Sequence, residues 1–169
     1  MNIIQTNEFI EWAFSDLLTN SLRGMLAEYI VGKSIGALDK KRVEWDAYDL
    51  EMKDGIKIEV KSSAYLQTWN KEGEKYSTIS FGIGKKKGWN SKTNKSLVKP
   101  DRSADIYVFC VYEEKDRESA NPLDLEKWSF FVCSREHLNV KFGDQKTVRK
   151  RLKSHKFANL RSINRIIAA

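Results

Sequence analysis

With 169 residues, 41% of them hydrophobic and 31% charged, the chain is long enough to bury a core and too apolar for a disordered segment. It has no apolar run near the roughly 18 residues that a membrane crossing needs. Its first residues, MNIIQTNEFIEWAF, lack the basic-then-apolar order of a signal peptide, so a cytoplasmic location without a membrane partner is expected. The formal net charge of +7 favours a polyanionic partner, nucleic acid before an acidic membrane.

In chain order, residues 7–19 read as an amphipathic helix capped by Asn7, with Phe9, Ile10, Ala13, Phe14, Leu17 and Leu18 on one side. Asn20 or Ser21 starts a second helix that ends near Gly36. Two strands follow around Lys53-Asp54-Gly55, and a third extended segment covers 76–83. Residues 84–103 read as a polar loop. The runs ADIYVFCVY (104–112) and WSFFVCS (128–134) are strongly apolar strands joined by an acidic linker. Cys110 and Cys133 lie inside these runs and read as reduced core residues. The basic C-terminal third predicts short helices near 145–153 and 157–167. Helices followed by strands and helices again predict an α/β (α+β) fold with one central mixed sheet flanked by helices. The chain divides as a single domain, 1–169: an N-terminal helix (1–20), a core (21–134) and a basic helical extension (135–169).

The hairpin WDAYDLEMKDGIKIEVKSS carries the chemistry. A three-residue loop 53–55 with Gly55 in the left-handed position sets Met52 against Ile56, Leu50 against Ile58 and Asp49 against Glu59. Alternation then places Leu50, Met52, Ile56, Ile58 and Val60 on one face. Asp49, Glu51, Lys57, Glu59 and Lys61 fall on the other, a line that Ser63, Tyr65 and Gln67 extend if the strand runs straight. Like charges directly opposite destabilise a sheet, so Asp49 facing Glu59 calls for a cation between them, and carboxylates are the ligands of Mg2+. An amphipathic hairpin with a solvated outer face is the competing reading.

These residues resemble the PD-(D/E)XK nuclease superfamily, the restriction-endonuclease-like fold: Asp49 in AYDLEM, a short turn, then Glu59-Val60-Lys61 in IKIEVKSS. Tyr48 stands where the motif has proline. Upstream, Glu28 lies on the second helix in a stripe with Gly24, Ala27, Val31 and Gly32, and resembles the superfamily's helix glutamate. Gln67 resembles the glutamine that some branches add after the lysine. The resemblance covers residues 21–134.

The resemblance implies a restriction-endonuclease-like core and a Mg2+-dependent DNA endonuclease of restriction, junction-resolving or repair type, with Mn2+ able to substitute. Asp49, Glu59 and the Val60 carbonyl would hold the metal, Lys61 would be catalytic, and Glu28 and Gln67 would assist. Asp46 is the alternative first acid, on the other face of a regular strand. For nucleic-acid contacts the two basic runs stand out. Lys85, Lys86, Lys87 and Lys92 belong to a segment, 84–102, that also holds Arg102. Arg149, Lys150, Arg151 and Lys153 belong to a segment, 146–165, without an acid. DNA is the expected partner, with RNA on the same chemistry, and cutting both strands would favour a homodimer. The alternatives are a non-catalytic nucleic-acid-binding subunit of a larger defence or repair complex and a basic adaptor of a protein partner.

Overall fold

The computed structural model describes residues 4–149 except Trp45, Glu72, Ser91, Lys92 and Leu97. Helices α1 (Thr6–Phe14) and α2 (Asn20–Ile35) lead into strands β1 (Leu50–Glu51) and β2 (Lys57–Ala64). The short strands β3 (Ser80–Gly82), β4 (Trp89–Asn90) and β5 (Lys95–Ser96) precede the long strands β6 (Ile106–Tyr112) and β7 (Trp128–Ser134). Helix α3 (Arg135–Phe142) and strand β8 (Thr147–Arg149) follow. The central sheet is four-stranded and mixed, in the order β1-β2-β6-β7. Strands β2 and β6 are parallel; the two outer pairings are antiparallel.

Alternation sorts the side chains of this sheet into two cores. Ile58 and Val60 of β2 join Val108, Cys110 and Tyr112 of β6 beneath Ala27, Ile30 and Val31 of α2. Gly32 leaves room for two leucines against α2, because a Cβ there would stand 2.5 Å from Leu38 Cδ2 and 3.2 Å from Leu50 Cδ2. Tyr107, Phe109 and Val111 point the other way, into a core closed by Phe81 of β3, Leu138 of α3 and Val148 of β8. Strand β6 is therefore buried on both faces, which explains its unbroken apolar run. Cys110 is buried and Cys133 half-buried, and both are free thiols, as expected.

The hairpin keeps the expected register, with Leu50 opposite Ile58 and Glu51 opposite Lys57. Met52 N–H donates to the Ile56 carbonyl at 2.9 Å and Gly55 N–H to the Met52 carbonyl at 2.9 Å. Gly55 has φ +88°, the conformation for which glycine is needed.

Elsewhere the boundaries move. Helix α1 stops at Phe14, its N-cap is Gln5 without a side-chain bond, and its apolar side stays uncovered: Phe9 is 51% exposed and Ile10 49%. Thr19, one residue before the expected caps, closes α2 by accepting from Leu22 N–H. The loop 84–103 contains the small hairpin β4–β5. Ser134 accepts from His137 N–H at 3.1 Å and starts α3, a helix the apolar pattern did not announce because only Leu138 is buried. Within the predicted helix 145–153, Thr147, Val148 and Arg149 alternate exposed, buried, exposed and pair with β3. Val148 is drawn into the second core, and a two-residue period makes a strand, not a helix. The predicted helix 157–167 lies outside the described residues. No helix among the described residues is long and apolar enough to cross a membrane.

Candidate active site

The site forms just before β1 begins, where β2 continues past it. Strand pairing begins at Leu50, and Asp49, one residue earlier, reaches β2 with its side chain. Its N–H donates to the Ile58 carbonyl at 3.0 Å, and its Oδ2 accepts from Val60 N–H at 2.7 Å. The Asp49 carboxylate thus takes a ladder position that a third β1 residue would have filled. It is thereby fixed against the backbone of Ile58 and Val60.

Burial and charge act together on this carboxyl. Desolvation raises its pKa most. The negative charge of Glu59 comes next, and that of Glu28 adds to it. The Val60 N–H and Lys61 pull the other way, and the result is a pKa pushed up to about 7. Glu59 is itself ion-paired with Lys61, two residues along the same face of β2. Across the sheet Glu59 is level with Tyr107. The Tyr107 phenol is pushed up to about 12, by burial first and by Glu59 second. Glu28 reaches the group from α2, and Arg42 holds it with two bonds, Nε to Oε2 at 2.6 Å and Nη2 to Oε1 at 3.1 Å. Glu28 and Asp49 line a cavity of about 1010 Å³ whose rim carries Lys40, Lys41 and Arg42.

Asp49, Glu59, Lys61 and Glu28 are therefore neighbours. Gln67 is not among them. The chain bends after Ala64, and the buried Gln67 amide donates to the Ala64 carbonyl at 3.1 Å and accepts from Arg23 Nη1 at 3.0 Å. Asp46 lines the same cavity as Glu28 and Asp49, and its Oδ1 accepts from Ala47 N–H at 2.8 Å. Among the described residues there is no cluster of three or more His, Cys, Asp or Glu side chains arranged to hold a metal. What the site offers is two adjacent carboxylates, Asp49 and Glu59, with the Val60 backbone beside them. That donor set suits Mg2+, which is held by one or two carboxylates and completes its shell with water.

Of the basic residues, Lys85, Lys86 and Lys87 are exposed. Lys85 pairs with Asp144 at 2.8 Å. Arg149 is exposed on β8. Lys92, Lys150, Arg151 and Lys153 lie outside the described residues. Arg102 is no surface contact: it is 1% exposed, and its guanidinium donates to the carbonyls of Ile83 and Gly143, both at 2.8 Å. Two arginines went unread in the sequence. Arg42 sits in the run KKR, where a charge cluster was the only signal. Arg23 had none.

Residues 11–148 match the family of bacteriophage T4 endonuclease IV. The chain belongs to that family. No curated protein matches it. Membership of the endonuclease IV family makes the chain one of a nuclease family and supports a DNA endonuclease, so Asp49, Glu59 and Lys61 sit in a chain whose family breaks phosphodiester bonds.

The Asp49 carboxyl fixes a pH dependence for the metal-free protein. Its folded pKa lies above the ordinary 3.8, so between those two values the folded state binds more protons than the unfolded chain. Stability then falls as pH rises through that window. We expect thermal melting in EDTA to occur at a lower temperature at pH 8 than at pH 5, and Asp49→Asn to flatten the slope. An unchanged slope in Asp49→Asn would assign the effect to other groups.

Proposed function

We propose that this protein is a Mg2+-dependent DNA endonuclease with a PD-(D/E)XK-type site. The observation that carries the reading is the meeting of Asp49, Glu59, Glu28 and Lys61 at the start of β2. There the Asp49 carboxyl, bonded to Val60 N–H, is raised by burial first and then by Glu59 and Glu28. Asp49 and Glu59 would hold the cation with the Val60 carbonyl. A bound divalent ion stabilises charge on the scissile phosphate and lowers the pKa of an attacking water. Lys61, now paired with Glu59, would orient that water or meet developing negative charge. Glu28 shapes the acidic side of the cavity, with Arg42 holding its carboxylate in place. Mn2+ fits the same oxygen donors. RNA shares the phosphodiester chemistry, and a homodimer would supply the second site that duplex cutting needs.

The test is incubation of the purified protein with supercoiled, linear, branched and single-stranded DNA, and with RNA, in Mg2+ or in EDTA. Cleavage in Mg2+ that stops in EDTA is expected. Cleavage that persists in EDTA would overturn the metal assignment. Binding without cleavage in either condition would leave the non-catalytic subunit as the better description.

A further inference from the structure

A second cluster lies just beyond the end of β2. Tyr65 and Tyr76 line a cavity of about 400 Å³ together with Lys115 and Arg149. That volume falls in the range of about 300–1,000 Å³ typical of small-ligand sites. The Lys115 ammonium stands over both rings, 4.8 Å from the Tyr65 centroid and 5.6 Å from that of Tyr76. Ser77 N–H donates to the Tyr65 carbonyl at 2.9 Å and ties the Tyr76 segment to the end of β2. Arg117 fastens the Lys115 segment from the other side, donating to the carbonyls of Gln67 and Asn70, both at 2.8 Å. Of the two acids next to Lys115 in sequence, Glu114 is paired with Lys127 at 2.6 Å, and Asp116 turns its Oδ1 onto Glu118 N–H at 3.1 Å.

We infer that this cleft is a nucleotide subsite: Tyr65 and Tyr76 stack a base of the substrate strand, and Lys115 and Arg149 take its phosphates. The two rings already bind the face-seeking cation that a base would replace. Lys115 is exposed, and its flexible stem lets it leave the rings for a phosphate oxygen. Tyrosine stacking with basic neighbours is how strands are held without reading base edges. Position supports the same occupant. Tyr65 lies four residues beyond Lys61, at most about 13 Å at the rise of a strand. That is roughly four steps of a stacked nucleic-acid strand, at about 3.4 Å each, and fewer of an extended one. The inference rests on the nuclease reading for which strand enters the cleft, and on the cleft alone for stacking.

The test is binding in EDTA, where metal-dependent hydrolysis plays no part, of a short DNA oligonucleotide in which alternate bases are the fluorescent analogue 2-aminopurine. Stacking quenches this analogue. Tyr76→Ala, at a residue 52% exposed, and Tyr65→Ala are expected to weaken binding about tenfold and to relieve the quenching. Tyr76→Phe and Tyr65→Phe should preserve both. Lys115→Gln should reduce the slope of log affinity against log salt by about one. Unchanged affinity and quenching in Tyr76→Ala, with its circular dichroism intact, would overturn the subsite, as would phenylalanine variants as weak as the alanine ones. Quenching that requires both rings in a protein that cuts nothing in Mg2+ would retain the subsite and remove the nuclease reading. Cleavage in Mg2+ by a Tyr76→Ala protein with wild-type binding would do the reverse.

Discussion

Replacing Glu59 or Lys61 by alanine is expected to reduce Mg2+-dependent DNA cleavage by about a thousandfold or more while the fold stands. The size follows from their places. Glu59 is one of two carboxylates proposed to hold the ion, and groups aimed at developing charge are worth about a hundred- to a thousandfold each. The fold should survive because both side chains are half-buried on the polar face of β2 and pair with each other, while the inward residues Ile58 and Val60 are untouched. Glu59→Ala has a second consequence that needs no substrate. It removes the nearest negative charge from Asp49, so the Asp49 pKa should fall, and the loss of stability toward alkaline pH in EDTA should shrink with it. Lys61→Ala should move Asp49 the other way, since Lys61 lowers that pKa. Full activity in either variant would remove the assignment of β2 as the catalytic strand.

The largest effect on stability is expected at Arg23. Its guanidinium is 2% exposed and has no carboxylate among its hydrogen-bond partners. It donates to the Leu18 carbonyl at 2.7 Å, to Gln67 Oε1 at 3.0 Å, to Ser62 Oγ at 3.3 Å and to Asn20 Oδ1. Burial pulls its pKa down to about 10, and at neutral pH it is still charged. Arg23→Ala opens a cavity and strips donors from buried acceptors, each of which costs about 1–3 kcal/mol when left unmade. A loss of about 3 kcal/mol or more is expected, a large part of the 5–15 kcal/mol that holds an ordinary domain. Urea unfolding reads it as a lower midpoint. Arg23→Lys should recover only part, because one ammonium cannot span the fork of acceptors. A midpoint equal to wild type in Arg23→Ala would mean that water replaces the guanidinium there.

The same arginine marks the limit of what was legible in the chain. The hairpin could be read because both of its determinants are local: a two-residue alternation and a glycine where φ must be positive. Strand β7 was read to the residue and β6 within two, since an apolar run buried on both sides has few alternatives. Gln67 was not legible. Parity placed it on the face of Lys61, but the bend after Ala64 cancels parity, and the amide goes to Arg23 instead. Arg23 and Arg102 look like surface charges in sequence, and only the packing of distant segments shows that each is a buried clamp. The Asp49 carboxylate illustrates both cases. Counting put it beside Glu59, whose charge it feels, but its use as a substitute for a ladder carbonyl depends on where β1 begins.

The basic loop has a closed neck. Lys86 N–H donates to the Asp101 carbonyl and Asp101 N–H to the Lys86 carbonyl, both at 3.0 Å, so its two ends emerge side by side. A loop entered and left at one point can be shortened, lengthened or exchanged without pulling on the sheet, since closure costs little for added length. Its base is anchored to buried Arg102, not to β2. The segment proposed to meet phosphate and the strand proposed to hydrolyse it are thus mechanically separate parts. Swapping the loop between relatives would transfer substrate preference while leaving turnover chemistry where it is.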